Sequence, residues 1–188
     1  MVAVLLGRKR AALDAYRRIL ELDPGNVNAL ATVGNMLAES HDADGAMACF
    51  RHILEDHEDH ADTWFNLGYL HEKRDELAEA ERCFRQAVAL KPSLDRAWYG
   101  LGLVLIRENR LGDAAHALKR NTQLQPFNPY GWYQLGMTYH HLGRPAEARR
   151  IYLELRKFEP GYAATLKRDL ETTRPLAASE PRQEDPCN

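Results

Sequence analysis

The chain has 188 residues, 45% of them hydrophobic, and a formal net charge of −2 at pH 7. This composition is ordinary for a soluble protein, and the small net charge gives no concentrated basic face for nucleic acid. Since no apolar stretch is long enough to span a bilayer, we expect neither nucleic-acid binding nor membrane insertion.

Residues 1–26 form the first predicted element, which we interpret as a partial repeat that is mostly a second helix. Ala12, Tyr16 and Pro24 match the second half of the units that follow. Basic residues come after the initial apolar run, whereas a signal peptide places them before it. An edge that begins in the middle of a hairpin predicts either an upstream portion or a partner for the bare face. A second copy of the chain is one such partner.

Complete units are predicted at residues 27–60, 61–94, 95–128 and 129–162. The only tryptophans, Trp64, Trp98 and Trp132, lie thirty-four residues apart, and each is followed by Leu-Gly at the same distance. An alanine follows each tryptophan by sixteen residues, and a proline (Pro92, Pro126 or Pro160) closes each of these three units. The first complete unit has Leu30 in place of the tryptophan. A fixed period of this length is typical of tandem helical hairpins that contact only their neighbours.

Small residues are expected where the two helices of a unit cross. Gly102 lies beside an apolar stripe of the first helix that includes Trp98, and Ala114 is the small residue of the second helix. Small residues allow helices to approach closely, and we expect the tryptophan to fill the remaining space as a core residue. The turns between the helices are predicted at Asp75, Asn109 and Gly143.

The end of the chain contains a predicted capping helix and a tail. Residues 163–173 are predicted to form the helix, because Leu166 and Leu170 lie four residues apart and terminal repeats need a polar-backed cap. Residues 174–188 carry three prolines among charged and small residues, which predicts a disordered tail.

The pattern Trp-x-x-Leu-Gly-x-x-Tyr, followed by Ala-x-x-x-Phe and a closing proline, resembles the tetratricopeptide repeat (TPR). The resemblance covers residues 1 to about 162. It implies an all-α fold, a right-handed α-solenoid of tandem helix-turn-helix TPR units with a C-terminal capping helix. It also implies that the first helices line a concave groove, in which a peptide or helix of a partner protein binds. We therefore expect a protein–protein interaction scaffold or adaptor.

Ten residues on or beside the first helices are predicted to form this groove. They are Asn35, Phe65, Asn66, Tyr69, Arg96, Tyr99, Leu103, Tyr130, Tyr133 and Met137. Aromatic side chains with a flexible methionine suit an extended peptide or an amphipathic helix. A tyrosine directly after the tryptophan position is also common in the family's general pattern, so this signal has limited specificity.

One subgroup of the family binds the C-terminal carboxylate of cytosolic heat-shock chaperones through lysine, asparagine and arginine side chains. Asn35, Asn66 and Arg96 match part of that set, but Ala31 and Gly100 stand where a lysine and an arginine would be required. Because charge-assisted contacts supply most of such a grip, we do not expect this clamp here.

Two other hypotheses about function remain open. The chain could be a self-associating assembly module that pairs through its N-terminal edge, or the regulatory arm of a larger enzyme. It has no phosphate-binding glycine loop, no serine elbow and no His-Glu-x-x-His motif. We therefore expect that the chain itself is not an enzyme and binds no cofactor.

Several histidine and cysteine residues have the chemistry of metal ligands or reactive groups. His57, Asp59 and His60 have the right chemistry for a transition metal, but such residues clustered on a loop are usually solvated, so no metal site is predicted. Cys49 and Cys83 occupy equivalent places one period apart, too far from each other for a disulfide. Buried thiols fit a reducing compartment, which favours a cytoplasmic location.

Overall fold

The structure, a computed structural model, describes the backbone of residues 2–176 and the side chains of residues 10–176. Within that range it contains ten α-helices and no strand. The helices are α1 (Val2–Leu22), α2 (Val27–Glu39), α3 (Ala43–Asp56), α4 (Ala61–Lys73), α5 (Leu77–Leu90), α6 (Asp95–Arg107), α7 (Leu111–Leu124), α8 (Pro129–His141), α9 (Pro145–Phe158) and α10 (Pro160–Thr172). None of the helices in this part of the chain is both long and apolar enough to cross a membrane. Most of the predicted tail, from residue 177 on, lies outside the described residues.

The chain divides into two compact units, residues 1–97 and the residues from Trp98 onward. The boundary falls inside α6. In the first unit, α2 packs against α3, and α4 against α5. In the second unit, α8 packs against α9, and α10 contacts both of them. These helix pairs are the hairpins that the thirty-four-residue period predicts.

Side-chain caps mark where several first helices begin. Asn26 and Asn128 accept hydrogen bonds from backbone N–H groups in the first turns of α2 and α8. His60 caps α4 in the same way, since its Nδ1 accepts from the N–H of Thr63 at 3.3 Å. A side-chain acceptor at this position stabilises a helix because it satisfies a backbone donor that the helix leaves unpaired. The start of each of these helices is therefore specified locally.

The turn inside each hairpin contains one residue in the left-handed region of backbone space. These residues are His41, Asp75, Asn109 and Gly143, with φ values of 64°, 64°, 58° and 66°. They lie thirty-four residues apart, and the last three are the predicted turn residues. Only the glycine adopts a positive φ without a Cβ clash, so the other three hold the same turn at an energetic cost.

Glycines of the first helices lie directly against large side chains of the second helices. A Cβ on Gly34 would lie 2.7 Å from the ring of Phe50. At Gly68 the corresponding distance to the Phe84 ring would be 2.8 Å. Both rings are 1% exposed, so the hairpins have room for no larger residue than glycine at these positions.

The tryptophans lie at the edge of this packing. All three are only partly buried. The indole N–H of Trp64 donates to the carbonyl of Glu58 at 2.8 Å, and that of Trp132 donates to the carbonyl of Pro126 at 2.9 Å. The expectation that tryptophan fills the space between the helices is thus met only in part, since Trp64 and Trp132 pack against the core clusters without being buried in them. These two indoles also tie α4 and α8 to the preceding loops, and phenylalanine or leucine of the second helix fills the core.

The last hairpin departs from this pattern because α10 packs on it. Gly136 faces Leu166 of α10, whose Cδ2 would lie 2.8 Å from a Cβ on the glycine. Leu166 is fully buried, whereas Tyr152, at the position of Phe84 in the earlier hairpin, is partly exposed. A phenol hydroxyl is costly to bury without a partner. The apolar leucine of α10 therefore takes the place that an aromatic ring has elsewhere.

α10 begins earlier than the sequence predicts, at Pro160 and not at residue 163. Glu159 both ends α9 and precedes α10, so no loop separates the two helices. Proline is well suited to the first position of a helix because its missing N–H would have no partner there. The proline that closes the earlier units therefore opens a helix here.

A buried polar side chain, Asn121, lies in α7 where the previous second helix has an alanine. It is 3% exposed, and its Oδ1 would lie only 2.1 Å from a Cβ on Gly131 of α8. The glycine thus makes room for an amide larger than the alanine that the repeat pattern predicts.

Two free thiols lie in the first unit. Cys83 is buried, and this burial raises its pKa to about 11. Cys49 is only partly buried, so the expectation of a buried thiol is confirmed for Cys83 alone. Burial also raises the pKa of Cys49. Thiols with raised pKa values are weakly reactive near neutral pH.

Candidate protein-binding faces

Five of the predicted groove residues line one concavity in the first unit. They are Asn35 on α2, Phe65, Asn66 and Tyr69 on α4, and Arg96 in the first turn of α6. We call this set the asparagine face. The concavity has a volume of about 620 Å³ and is also lined by Ala31, Asp62 and His60. The structure therefore brings this half of the predicted site together.

The two asparagines of the asparagine face bond to each other. The Nδ2 of Asn66 donates to the Oδ1 of Asn35 at 3.3 Å. The amide N–H groups of Asn35 and the carbonyl oxygen of Asn66 remain available for other partners. A donor and an acceptor side by side match the peptide group of an extended chain.

Arg96 lies between an aromatic ring and a carboxylate. Its guanidinium carbon is 4.7 Å from the centroid of the Phe65 ring, which is cation–π distance. One of its nitrogens is 3.4 Å from Asp62 Oδ1, and the other oxygen of Asp62 accepts from Lys91 Nζ at 3.0 Å. The positive charge of Arg96 is thus partly compensated, and an anionic ligand would have to compete with Asp62.

Tyr69 is the exposed aromatic of the asparagine face. It is 47% exposed, and Lys73 Nζ lies 5.2 Å from the centroid of its ring. Its exposure gives a partner a large apolar surface that costs little entropy to order.

The other five predicted groove residues lie in the second unit. They are Tyr99 and Leu103 on α6 and Tyr130, Tyr133 and Met137 on α8, and we call them the tyrosine face. Tyr99, Tyr133 and Met137 pack against the apolar core that α10 completes with Leu166. Leu103 is partly buried. Only Tyr130, at 55% exposure, is largely open to solvent.

The capping helix binds the hydroxyl of Tyr133. This hydroxyl donates to Asp169 Oδ2 of α10 at 2.7 Å. Burial and this hydrogen bond raise the pKa of Tyr133 to about 12, and the same bond lowers the pKa of Asp169. Burial also raises the pKa of Tyr99. Tyr133 is therefore part of the packing of the cap as well as of the predicted face.

Tyr130 has a partner in α10 as well. Its ring meets the ring of Tyr162 edge to face, with centroids 5.4 Å apart. A hydrogen bond between the two hydroxyls raises the pKa of Tyr162. Sequence reasoning missed Tyr162 and Asp169 because neither lies in the periodic pattern. It also missed Asp62, although Asp62 stands one period before Arg96.

The histidine-rich loop before α4 has a structural role. The ring of His60 caps α4, and its Nδ1 lies 2.7 Å from the hydroxyl of Thr63. Within the described residues, no group of three histidine, cysteine, aspartate or glutamate side chains is arranged to hold a metal ion.

Comparison with protein families gives one match over most of the chain. The family model described as the cilia and flagella-associated protein 70 middle TPR-like domain matches residues 39–159. A comparison with curated proteins gives no match.

Solved structures of helical-repeat proteins have a similar fold. A crystal structure of MamA matches with a TM-score of 0.73 and 21% identity, over 90% of this chain and 94% of that one. The crystal structure of YrrB matches with a TM-score of 0.72 and 22% identity, over 89% and 87% of the two chains. PilF of Pseudomonas aeruginosa matches with a TM-score of 0.71 and 19% identity, over 89% and 85%. The predicted fold class, an all-α helical-repeat solenoid, is confirmed.

Proposed function

Since the chain belongs to the family of the cilia and flagella-associated protein 70 middle TPR-like domain, we propose that it is a protein-binding scaffold. Its first helices hold a peptide or helix of a partner protein, and the chain itself performs no catalysis. YrrB, which shares the fold, is described as a TPR protein with an unusual peptide-binding site. That description supports peptide binding as a use of this fold.

The asparagine face is the observation that carries the proposal. Its concavity of about 620 Å³ combines an exposed aromatic ring at Tyr69 with free amide groups at Asn35 and Asn66. Aromatic anchors supply affinity, and amide groups fix the register of a bound backbone. Asp62 partly compensates the positive charge of Arg96, which favours a segment that is neutral or polar at this point.

The tyrosine face of the second unit is the second proposed binding surface. Tyr130 supplies exposed aromatic surface, and Tyr99, Tyr133, Leu103 and Met137 form its partly buried base. Because the Tyr133 hydroxyl is bonded to α10, its alanine variant would test packing and binding together. Tyr69 and Tyr130 are the better residues to change.

Capture from the native cell extract, followed by calorimetry with the captured protein, tests the proposal. Tyr69→Ala should weaken binding by about 1–2 kcal/mol, roughly tenfold, without loss of helicity. Phe127→Ala is the matched control, because Phe127 is a 78% exposed aromatic outside both faces. If Tyr69→Ala and Tyr130→Ala bind the partner as tightly as the control does, the partner binds elsewhere and the proposal fails.

Self-association through α1 is a second candidate function. Ile19 and Leu22 of this helix are 40% and 90% exposed, and exposed aliphatic residues of this kind favour association. Sedimentation velocity over a wide concentration range decides the question. A monomer at every concentration would exclude it, and dimers that Leu22→Glu abolishes would support it.

A further inference from the structure

A second groove lies between α9 and α10, and none of its lining residues belongs to either face. Its volume is about 580 Å³. Ala148 and Tyr152 of α9 and Leu170 of α10 supply apolar surface, and Arg149, Arg156 and Lys167 supply positive charge. Leu153, 38% exposed, also lines it.

The same face of the preceding second helix is buried. The residues of α7 one period before Arg149, Tyr152 and Arg156 are Ala115, Leu118 and Thr122. Their exposures are 6%, 0% and 4%, because Leu118 lies against Gly102 of α6 and α8 packs beside Thr122 through Gly131. On α9 the corresponding face is an open groove with a basic rim. Where the chain itself covers this face of a second helix, the covering element is another helix.

The positive charges of the groove are poorly compensated. Arg156 lies over the Tyr152 ring at 5.7 Å, and Lys167 is 3.9 Å from Glu171. Among the side chains of residues 10–176, no carboxylate lies within ion-pair distance of Arg149 or Arg156. Arg149 and Arg156 therefore present positive charge beside the apolar surface of the groove.

We propose that the α9–α10 groove binds an acidic amphipathic helix of a partner protein. Two parallel rows of side chains with an apolar floor are the surface into which the ridge of a third helix packs. Arg149 and Arg156 are seven residues apart on α9, which is about 10 Å along the helix axis. A partner helix with acidic residues seven positions apart can therefore pair with both arginines at once.

A designed peptide serves as the probe. It is a capped, alanine-rich helical peptide with leucines on one face and two glutamates seven residues apart, and its control has glutamines in their place. Fluorescence anisotropy with the full chain should show that the glutamate peptide binds at least about tenfold more tightly at low salt. High salt should remove most of that difference, because exposed ion pairs are screened.

Neighbouring arginines provide the matched variants. Arg149→Glu and Arg156→Glu should each weaken probe binding about tenfold or more. Arg150→Glu should change it less than about twofold, because Arg150 is an exposed arginine of α9 that does not line the groove. A lysine version of the probe should bind the Arg149→Glu/Arg156→Glu chain better than the wild type. If a glutamate variant melts early by circular dichroism, Arg149→Gln and Arg156→Gln replace it.

Several results would overturn the proposal. Equal binding of the glutamate and glutamine peptides would do so, and so would an equal loss in Arg150→Glu. If removal of residues 177–188 strengthens probe binding more than about tenfold, the occupant is the chain's own tail, whose Glu180, Glu184 and Asp185 are acidic. If the chain dimerises and Arg149→Glu abolishes the dimer, the occupant is a second copy. Tyr69→Ala should not affect the probe, so this inference and the proposed function fail independently.

Discussion

The asparagine face and the tyrosine face use equivalent positions of the repeat, yet they offer different chemistry. Phe65 of the first becomes Tyr133 in the second, two periods later, and the hydroxyl that is gained bonds to Asp169 of α10. Tyr69 of the first remains 47% exposed, whereas Met137, also two periods later, packs against a core that α10 completes. The repeat determines the position of a side chain on its helix. The packing of the following helix determines whether that side chain stays exposed to a partner.

The largest effect is expected from removing the side chain that anchors α10 to the last hairpin. Leu166→Ala should lower the free energy of unfolding by about 2–5 kcal/mol, because the leucine is fully buried against Gly136. Urea denaturation followed by circular dichroism measures the change. Leu153→Ala, at a 38% exposed leucine of α9, should cost less than about 1 kcal/mol. An equal loss in the two variants would mean that α10 does not anchor the second unit.

The next largest change in stability is expected from exchanging the turn residues of the two units. Gly143→His in the second unit should destabilise by about 1–2 kcal/mol, because the φ of 66° forces a Cβ clash on any other residue. His41→Gly in the first unit should stabilise by up to about 1 kcal/mol for the same reason, offset by the greater freedom of the unfolded chain. Thermal melts of both variants check the signs. A stabilised Gly143→His chain would contradict the argument.

Removal of one hydroxyl sharpens the comparison between the faces. Tyr133→Phe should destabilise by at most about 1 kcal/mol, because the hydrogen bond is lost but its carboxylate partner is partly exposed and partly screened by solvent. Tyr69→Phe is the control, since the Tyr69 hydroxyl belongs to an exposed ring of the other face. Denaturant midpoints of the two variants compare them. Identical midpoints would show that the cap does not use the hydroxyl.

The smallest expected effect is on the acid limb of stability. The hydrogen bonds of Asp169 to Tyr133 and Arg168 lower its folded pKa below the unfolded value near 4. Between these two values the unfolded chain binds more protons, so this contribution is complete above about pH 5 and is lost as the pH falls through the folded pKa. Asp169→Asn should therefore flatten the acid limb of the melting temperature against pH, and Glu171→Gln should not. If Asp169→Asn leaves this curve unchanged, the Tyr133–Asp169 hydrogen bond does not contribute to stability at low pH.

Much of the fold follows from local, periodic signals in the sequence. Trp64 and Trp132 each donate a hydrogen bond to the carbonyl of the residue six positions earlier. The turn residues recur at intervals of thirty-four residues with nearly the same φ. A signal that recurs in several repeats is easier to recognise in a single sequence. The burial of the tryptophans was nevertheless overestimated, because size alone suggests burial and the pattern does not show the loop carbonyl to which the indole N–H donates.

The candidate sites were less accessible from the sequence. Helical geometry placed Asn35 on the inner face, and the resemblance to the carboxylate-binding subgroup pointed to Asn66 and Arg96. The structure brings all three to one concavity. The engagement of Tyr133 by Asp169 depends on how α10 docks, and α10 starts at Pro160 without a loop and out of phase with the repeat. Contacts made by a single, non-periodic element leave no recurring trace in the sequence, so they emerge only from the folded arrangement.

The buried thiol of α5 gives the first unit an internal reporter. Cys83 is 1% exposed and its pKa is about 11, so a maleimide or disulfide reagent at neutral pH can reach it only when the α4–α5 hairpin opens. In a chain with the other cysteines replaced by serine, the labelling rate divided by that of a free thiol gives the opening equilibrium directly. Local opening of this hairpin could thus be measured with and without a ligand, using only the native cysteine.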